Sequence, residues 1–545
     1  MKKLMKLPSS WRFLAAIYLM FVCKGLFYSI LFPIWEGYDE YAHFGFIQFA
    51  ATHRELPVPE TVVSNEINQS LELVPLPWLL RDWPTPHMTH DAYWRLSPEE
   101  RMLRQKELRQ LTPSSQAELG KSILYEGQQG PLYYWLMAPV HSALHSAWLP
   151  TRIFIFRAIN IFLASLLIPI TFKAAQLLFF DERLALCSCL LLVAMPELYI
   201  DSARVGNQTL AMVLYGALTL LCLVALDGKP RYLVIGTTLG LLLLTKAYAL
   251  AAIPAVCFAV IWAAHRWRKS EKWLCLPGAS LACSAIVAAW WYVRNFQLVG
   301  TIIWVDGAPA QRMQMTDLIR RFAHVDWLSS VRSLAGSYIW FGNWSFLTVR
   351  SWMYEVVEAV MLIIVIGAAI EFVRSLRLKP DSTPVPQFIL VLLLYAGFVA
   401  ALVYHVFVNS INNGLAATCG WYLYAVALPG ALIAATGIKA FGRSGNLLLI
   451  TVVGALVALE LYATHWLLIP YYSGLIAHAA NGGLQSFYPL RTQVPLTELL
   501  SRLQINRPLV GMGIVLSGSW FMYLVSTVGI FYVTVRLSRT EGSFD

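Results

Sequence analysis

Long apolar runs separated by short polar segments dominate the sequence from one end to the other. A helix that crosses a bilayer needs about 20 mostly apolar residues. The chain contains about twelve runs of this kind, which predicts about twelve membrane-spanning helices. The fifth and sixth runs share one apolar stretch that is interrupted only near Lys246 and Pro254. The runs cover residues 11–33, 153–178, 184–200, 209–226, 232–250, 251–264, 274–293, 356–372, 388–408, 421–437, 447–469 and 509–535.

Composition and charge agree with this pattern. Hydrophobic residues make up 58% of the chain and charged residues 13%, against about 25% charged in an ordinary soluble domain. The net charge of +10 does not indicate nucleic acid, because basic residues such as Arg183, Arg231 and Lys439 fall in short loops on one side of the predicted spans. That bias predicts a multi-pass protein of the inner (plasma) membrane with both termini in the cytoplasm. The first apolar run is too long for a signal-peptide core, which predicts a retained span.

Longer polar segments between the spans are all predicted on the extracytoplasmic side. The cytoplasmic links are short, and no phosphate-binding glycine loop occurs, which argues against an ATP-driven protein. We therefore predict an all-α polytopic membrane protein with a large outer loop. Its parts are a cytoplasmic N-terminus and first span (1–35), the large outer loop (36–150), spans 2–7 (151–295), an outer loop (296–354), spans 8–11 (355–469), an outer loop (470–508), and the last span with a cytoplasmic tail (509–545).

The large outer loop is predicted to carry short helices. Residues 40–54 place aromatic and aliphatic side chains on one broad face, which is typical of a helix that lies along the membrane surface. A proline-rich stretch to residue 86 is predicted to be irregular. Residues 97–110 open with serine, proline and two acids, the pattern of a helix start. Residues 131–141 form a further short amphipathic segment.

The first candidate chemistry directly follows the first span, in the run Trp35 to His43. In a helix, Asp39 or Glu40 shares a face with His43. Acids at the membrane boundary are costly unless they face a polar cavity. The simplest alternative is that Asp39 only caps a helix. Asp39 and His43 also have the spacing of a metal pair but lack an obvious third ligand, so no metal site is predicted.

Four sequence segments together carry a resemblance to a known family. They read YDEYAHFGFIQFAATHRELPVP (38–59), QQGPLYYWLMAP (128–139), RVGNQTLAM (204–212) and LLLLTKAY (241–248). In this order and topology they resemble the GT-C membrane glycosyltransferases. The resemblance is to protein-mannosyltransferase-like and aminoarabinose-transferase-like members, and in particular to a bacterial branch with an Asp-Glu-x-x-His opening. It covers roughly the N-terminal half, while the C-terminal half matches only in hydropathy.

The resemblance implies a GT-C-like fold and the transfer of a sugar from a polyprenyl-phosphate carrier. The acceptor is a glycan, a lipid or a protein on the extracytoplasmic face, where nucleotide sugars are absent. Asp39 is then the general base for the acceptor hydroxyl. Glu40 tunes Asp39 through like charge or binds the acceptor, and His43 hydrogen-bonds one of them. No cofactor is assigned, although a divalent metal is compatible with this chemistry.

The leaving phosphate requires cations, and three residues are candidates. Lys246 stands at the end of an otherwise apolar span, where snorkelling to the interface is the alternative. Arg204 lies in a tight turn beside Asn207, and a salt bridge to Asp201 is its alternative. Arg294 follows an aromatic run, which is also typical of an interfacial anchor.

Polar and aromatic residues of the second motif are candidate sugar contacts. Gln128, Gln129, Tyr133 and Tyr134 can hydrogen-bond a sugar or stack on it, and an interfacial tyrosine belt is the alternative. The family often has an acid after the motif asparagine, where this chain has Gln208, which puts an acidic role there in doubt.

Two other functions remain open from the sequence. A transporter or flippase of lipid-linked saccharide matches the number of spans. It typically places paired charges at mid-bilayer, whereas Glu358 and Glu460 look unpaired or close to span ends. A polysaccharide polymerase or ligase uses similar donors at the same face. Seven of the eight cysteines lie in or beside apolar runs, so neither a disulfide framework nor a zinc site is predicted.

Overall fold

A computed structural model describes residues 10–82, 87–114, 122–267, 275–303, 315–377, 385–489, 494–505 and 513–539. Within these ranges the regular structure is helical, and strand pairing is limited to three isolated bridges. The predicted all-α fold class is therefore confirmed.

The first span and the large loop contain six α-helices. The predicted helix at 97–110 is confirmed, because Ser97 caps it by accepting a hydrogen bond from the Glu100 amide (3.1 Å). The proline-rich stretch that precedes residue 86 was expected to be irregular but is partly helical. It contains the helix Asn65–Leu73, which Ser64 caps. The helices are α1 (Ser10–Leu31), α2 (Glu40–His53), α3 (Asn65–Leu73), α4 (His90–Arg95), α5 (Pro98–Gln110) and α6 (Leu132–Ala143), with 3-10 turns at Trp78–Asp82 and Tyr125–Gln128.

The apolar face of α2 is covered by protein, whereas its amphipathic pattern predicts a face that rests on the membrane. Phe44, Phe46 and Ile47 are fully buried. Helix α6 packs against α2, with the rings of Phe46 and Tyr134 stacked at 3.7 Å. The apolar face of α2 is therefore covered by the loop's own core, which makes α2 a fixed support for Asp39.

Helices of the middle third run from α7 to α14. Helices α7 and α8 form one continuous apolar unit, whereas α9 and α10 meet at a bend of 65°. The chain between α12 and α13 is a 3-10 turn, Ala247–Ala252. The helices are α7 (Leu149–Ser165), α8 (Leu167–Phe179), α9 (Glu182–Ala194), α10 (Pro196–Ser202), α11 (Gln208–Leu226), α12 (Tyr232–Leu243), α13 (Ile253–Arg266) and α14 (Cys275–Val299).

The remaining helices include four of the longest apolar elements. A 3-10 turn (Gly420–Val426) precedes α19, and a π-helical turn (Ala463–Leu468) joins α20 to α21. The helices are α15 (Met315–Ala323), α16 (Trp327–Ile339), α17 (Ser351–Arg377), α18 (Val385–Asn413), α19 (Ala427–Lys439), α20 (Arg443–Tyr462), α21 (Ile469–Tyr472), α22 (Leu496–Leu503) and α23 (Gly513–Arg539).

The described residues contain ten helical units long and apolar enough to cross a membrane, or eleven if the bent pair α9–α10 counts as one span. Every run predicted from the sequence contains a helix, but α12 has only twelve residues and is short for a span. The predicted span is interrupted at Lys246, whose extended backbone (φ −149°, ψ 135°) separates α12 from the 3-10 turn Ala247–Ala252. The chain is a multi-pass membrane protein.

Two spans are joined by a buried ion pair. Lys24 on α1 contacts Glu460 on α20 at 2.7 Å, and both side chains have 0% exposure. Tyr28 also donates to Glu460 (3.0 Å). The expectation that Glu460 is unpaired was therefore wrong, because its partner lies 436 residues away in the chain. The pair fixes α20 against α1, the helix that leads into the first loop.

Three loops that are distant in sequence are fastened together at one end of the bundle, in an arrangement that we call the clasp (Glu36, His90, Asp91, Tyr472 and His478). Glu36 accepts hydrogen bonds from Tyr472 (2.9 Å) and from Ser345 on a third loop (2.9 Å), and its other oxygen is 3.0 Å from His90 Nε2. Asp91 accepts from the amide of His478 (2.7 Å) and lies 2.9 Å from its ring Nδ1.

Asp91→Asn is expected to lower the stability of the protein by about 1.5–3 kcal/mol, because Asp91 accepts several hydrogen bonds as a buried charge. Although burial opposes the shift, the bonds from His478 and Tyr471 hold the pKa of Asp91 below its usual value. Its contribution is therefore complete at neutral pH and is lost as the pH falls through the folded-state pKa. Thermal unfolding of wild type and variant at several pH values measures this, with exposed Asp227→Asn as the control. A difference between Asp91→Asn and wild type that stays constant down to acidic pH would contradict the assignment.

Candidate active site

Asp39 stands at the start of α2 in a left-handed backbone conformation (φ 56°, ψ 21°). It occupies the capping position expected from the sequence, but its side chain makes no capping hydrogen bond. The carboxylate instead accepts a short hydrogen bond from the Tyr125 hydroxyl (2.5 Å). Burial, reinforced by Asp39, raises the pKa of Tyr125 well above its usual value, so this hydroxyl stays a donor. Asp39 itself is half-buried.

Lys246 lies close enough to Asp39, Glu126 and Arg204 for their charges to act on it. Its ammonium lies 5.9 Å from the centre of the Tyr248 ring. Among the residues that the structure describes, no group hydrogen-bonds or ion-pairs with this ammonium. Lys246 is therefore a half-buried cation that is available to an anionic ligand.

Arg204, the second expected cation, is already occupied. Its guanidinium bonds to the carboxylate of Asp201 (2.5 Å) and donates to the main-chain oxygen of Tyr38 (2.6 Å). The salt bridge considered as an alternative is present. Arg204 adds positive charge to the site and fixes the residue that precedes Asp39.

Arg294, the third expected cation, holds the chain just after α2. It donates to the main-chain oxygens of Pro57 (2.7 Å) and Leu56 (3.4 Å), and its guanidinium lies over Trp291 at 5.2 Å. The structure does not bring it into the group of charges around Asp39. Its contacts are those of an anchor for the loop.

Glu40 is completely buried, unlike Asp39. Both of its oxygens bond to Arg157 (2.5 and 2.7 Å), and they also accept from the amides of Trp35 (3.1 Å) and Val205 (2.9 Å). No oxygen is left for an acceptor, so the expectation that Glu40 binds one is corrected. Glu40 fixes α2 to α7 and to the turn after α10.

His43 and the two tyrosines of the second motif are buried behind Asp39. His43 Nδ1 is 2.8 Å from the Tyr134 hydroxyl, and Tyr133 donates to Asn160 (3.1 Å). Tyr133 and Tyr134 have 0% exposure. Neither ring has a free face for a sugar, so the predicted direct contact is corrected to a supporting role.

The amide side chains lie on the rim next to Lys246. Asn207 donates to Gln129 (3.3 Å) and to the main-chain oxygen of Thr245 (3.1 Å), directly before Lys246. The side-chain oxygen of Asn207 is buried and has no partner among the described residues. Gln128 is half-buried beside Gln129. These residues join the first loop to the segment that carries Lys246.

An apolar groove lies between α12, α13 and α14. Leu243 and Leu250, on either side of Lys246 in the chain, contribute to its lining together with Ile253, Tyr292 and Phe296. The groove has a volume of ≈ 480 Å³. An apolar cavity whose lining residues flank a cation in the chain is suited to a lipid with an anionic head group.

Known families provide an independent comparison. Residues 128–292, which include the second, third and fourth motifs and Lys246, match the family model of dolichyl-phosphate-mannose-protein mannosyltransferases. The match over these residues supports membership of the GT-C superfamily of membrane glycosyltransferases. The predicted resemblance to that superfamily is thus confirmed, and the match points to a GT-C glycosyltransferase. No curated protein matches the sequence significantly.

Two solved structures are similar to this GT-C protein. ArnT from Cupriavidus metallidurans, bound to undecaprenyl phosphate, is 13% identical, with 98% of this chain and 77% of ArnT covered and a TM-score of 0.45. The oligosaccharyltransferase AglB from Archaeoglobus fulgidus, in complex with an inhibitory peptide and a dolichol-phosphate, is also 13% identical. There the match covers 96% of this chain and 56% of AglB, with a TM-score of 0.42.

The structure also adds contacts around the site that the sequence did not reveal. Glu126 lies beside Asp39, only two residues before the second motif, and an acid so close to that motif was the one available signal. From the C-terminal half, Trp421 stacks on Tyr38 at 4.1 Å, and Trp344 meets the same ring edge-on at 5.2 Å. Nothing in the sequence near Trp421 or Trp344 indicated this contact.

A cofactor site was also considered. Among the described residues, no three histidine, cysteine or acidic side chains are grouped so that they could hold a metal ion.

Proposed function

We propose that this glycosyltransferase moves a sugar from a polyprenyl-phosphate carrier to an acceptor at the extracytoplasmic face of the plasma membrane. The observation that carries the proposal is the cation Lys246, which lies within range of the Asp39 charge and is flanked in the chain by Leu243 and Leu250 of the apolar groove. A lipid-phosphate donor has the two features that match it, an apolar tail and an anionic head.

The donor phosphate binds at Lys246, and the polyprenyl tail follows the groove along Leu243 and Leu250. Arg204 adds positive potential, although its hydrogen bonds are taken up by Asp201 and Tyr38. Positive charge at this point stabilises the phosphate more as its bond to the sugar breaks, because negative charge develops there.

Asp39 accepts the proton of the acceptor hydroxyl as that oxygen attacks the sugar. The Tyr125 hydroxyl donates a hydrogen bond of 2.5 Å to one oxygen of Asp39 and so orients the carboxylate. The second oxygen of Asp39 is then available for the proton of the acceptor. A carboxylate in this position contributes as a general base. Trp344 and Trp421 contact the ring of Tyr38 and form that side of the site.

The distribution of basic residues supports the proposal that the site lies on the extracytoplasmic side. Basic residues in the short loops define the cytoplasmic side, and the segments 36–150, 296–354 and 470–508 then lie outside. The clasp brings described parts of these three segments together, which fits a shared location on one side.

The test is binding of the carrier phosphate by the purified protein in nanodiscs, with undecaprenyl phosphate as the probe. Lys246→Met is expected to weaken binding roughly 10- to 100-fold, because a hydrogen bond to a charged group contributes about 1.5–3 kcal/mol. Lys173→Met, on the exposed surface of α8, is the matched control and should bind as wild type does. Equal affinities of Lys246→Met and wild type would remove Lys246 from the donor site.

A further inference from the structure

Glu126 is a buried acid with one oxygen that the protein leaves unpaired. It lies on the 3-10 turn Tyr125–Gln128, next to the tyrosine that donates to Asp39, and is 6% exposed. Its Oε2 atom has no hydrogen-bond partner among the described residues. A buried carboxyl oxygen without a partner is costly, which indicates that a ligand or a proton occupies this position during function.

The groups that face Glu126 come from four elements. Asp39 on the entry to α2 raises the energy of its charged form, whereas Lys246 and Arg204 lower it, and Gln129 hydrogen-bonds to it. His43 Nδ1 on α2 lies 3.8 Å from Oε2. Glu126 therefore lies within range of the charges of both the proposed base and the proposed phosphate-binding cation.

We propose that Glu126 donates a proton to the phosphate as it leaves the sugar, an inference that rests on the proposed function. The bond between the acceptor oxygen and the sugar carbon forms while the bond between that carbon and the phosphate oxygen breaks. The electron pair of the broken bond stays on the phosphate oxygen, which takes the Glu126 proton. Asp39 receives the proton of the acceptor hydroxyl, and one proton passes from Asp39 to Glu126 to restore the starting state.

The ionisation of Glu126 supports its role as the acid. Burial and the adjacent Asp39 raise the pKa of Glu126 to about 7, even though Lys246 and Arg204 oppose the shift. A carboxyl group that its environment keeps protonated up to neutral pH is suited to donate a proton. The proton resides on Glu126 below about pH 7 and is lost above it.

His43, whose ring Nδ1 lies 3.8 Å from Glu126 Oε2, is not suited to donate a proton. Burial, followed by Lys246 and Arg204, lowers the pKa of His43 well below its usual value. Its ring is therefore neutral, and Nδ1 is already engaged with Tyr134 (2.8 Å). His43 and Tyr134 position the turn that carries Glu126.

Difference infrared spectra of the ligand-free protein in nanodiscs test where the proton resides. A protonated carboxyl band is expected to disappear with a midpoint near pH 7 in wild type and to be absent in Glu126→Gln. Asp39→Asn should move the midpoint to lower pH, because it removes a neighbouring negative charge, and Lys246→Met should move it to higher pH. Exposed Glu55→Gln should leave the titration unchanged. A titration near neutral pH that persists in Glu126→Gln would overturn the inference.

Turnover separates this inference from the proposed function. The probe is a panel of undecaprenyl-phosphate-linked pentoses and hexoses with water as the sugar acceptor, scored by release of undecaprenyl phosphate. Glu126→Gln is expected to lower kcat roughly 10²-fold with little change in donor KM, and to abolish the fall in rate above about pH 7. Glu126→Asp, which keeps an acid, should retain that alkaline fall and part of the rate.

Each result has a distinct meaning. If wild type releases lipid phosphate, Asp39→Asn does not, and Glu126→Gln keeps both its rate and its alkaline fall, then only the Glu126 inference is overturned. If wild type releases none from the whole panel, the proposed donor class is wrong, and the Glu126 donor role falls with it. The infrared titration still decides whether Glu126 holds the proton.

Discussion

Asp39→Asn is expected to lower the rate of sugar transfer by about 10²–10⁴-fold, the usual contribution of a positioned general base. Asparagine keeps the shape of the side chain and can still accept from Tyr125, but it cannot take a proton from the acceptor. The fold should survive, because the Asp39 side chain makes no capping bond to α2. The measurement is initial transfer rate in proteoliposomes, normalised to folded protein by size-exclusion chromatography.

The control for Asp39→Asn is a second acid of the same loop. Asp82 is exposed, and among the residues that the structure describes it pairs with the neighbouring Arg81 alone (3.0 Å), so Asp82→Asn should transfer at the wild-type rate. Tyr125→Phe removes the hydrogen bond that orients Asp39 and should give an intermediate rate. Wild-type transfer by Asp39→Asn would exclude Asp39 as the base.

Glu40→Gln is expected to destabilise the protein by about 3–5 kcal/mol, because it leaves the buried charge of Arg157 without its partner. Arg157 also donates to the main-chain oxygens of Ser29 (3.2 Å), Phe32 (2.8 Å) and Pro33 (2.8 Å) at the end of α1. Loss of the pair therefore loosens the junction of α1, α2 and α7. The midpoint of thermal unfolding in detergent measures the effect.

A surface pair provides the comparison for Glu40. Glu100 and Arg104 lie 3.9 Å apart on the exposed side of α5, and Glu100→Gln should change stability by less than about 1 kcal/mol. Combining Glu40→Gln with Arg157→Met removes both charges and should recover part of the loss. If Glu40→Gln unfolds at the wild-type temperature, the junction does not depend on this pair.

The sequence predicted the parts of the site that a short motif contains. Asp39 was found because acids directly after an apolar span are costly without a function, and Lys246 because it interrupts an apolar run. The structure brings their charges within range of each other. The pattern did not distinguish Asp39 from Glu40, since adjacent acids look alike until their environments differ. Arg157, which neutralises Glu40, lies 117 residues further along the chain.

The remaining site residues depend on contacts between distant segments. Local sequence carries no information that Trp421 stacks on Tyr38 or that Glu460 pairs with Lys24, because these partners are hundreds of residues apart. The burial of α2 was missed for a related reason. Its amphipathic pattern is the same whether lipid or a second protein layer covers the apolar face.

The clasp has a consequence for the order in which the protein matures during synthesis. Glu36 lies three residues before Asp39, and one of its hydrogen bonds comes from Tyr472. Asp91 in the same loop accepts its hydrogen bond from the amide of His478, which is also made late in synthesis. The segment that carries the proposed base is therefore fixed in place only after most of the spans have been made and inserted. A nascent chain that ends before α21 contains every motif of the N-terminal half and still lacks the bonds that complete its first loop.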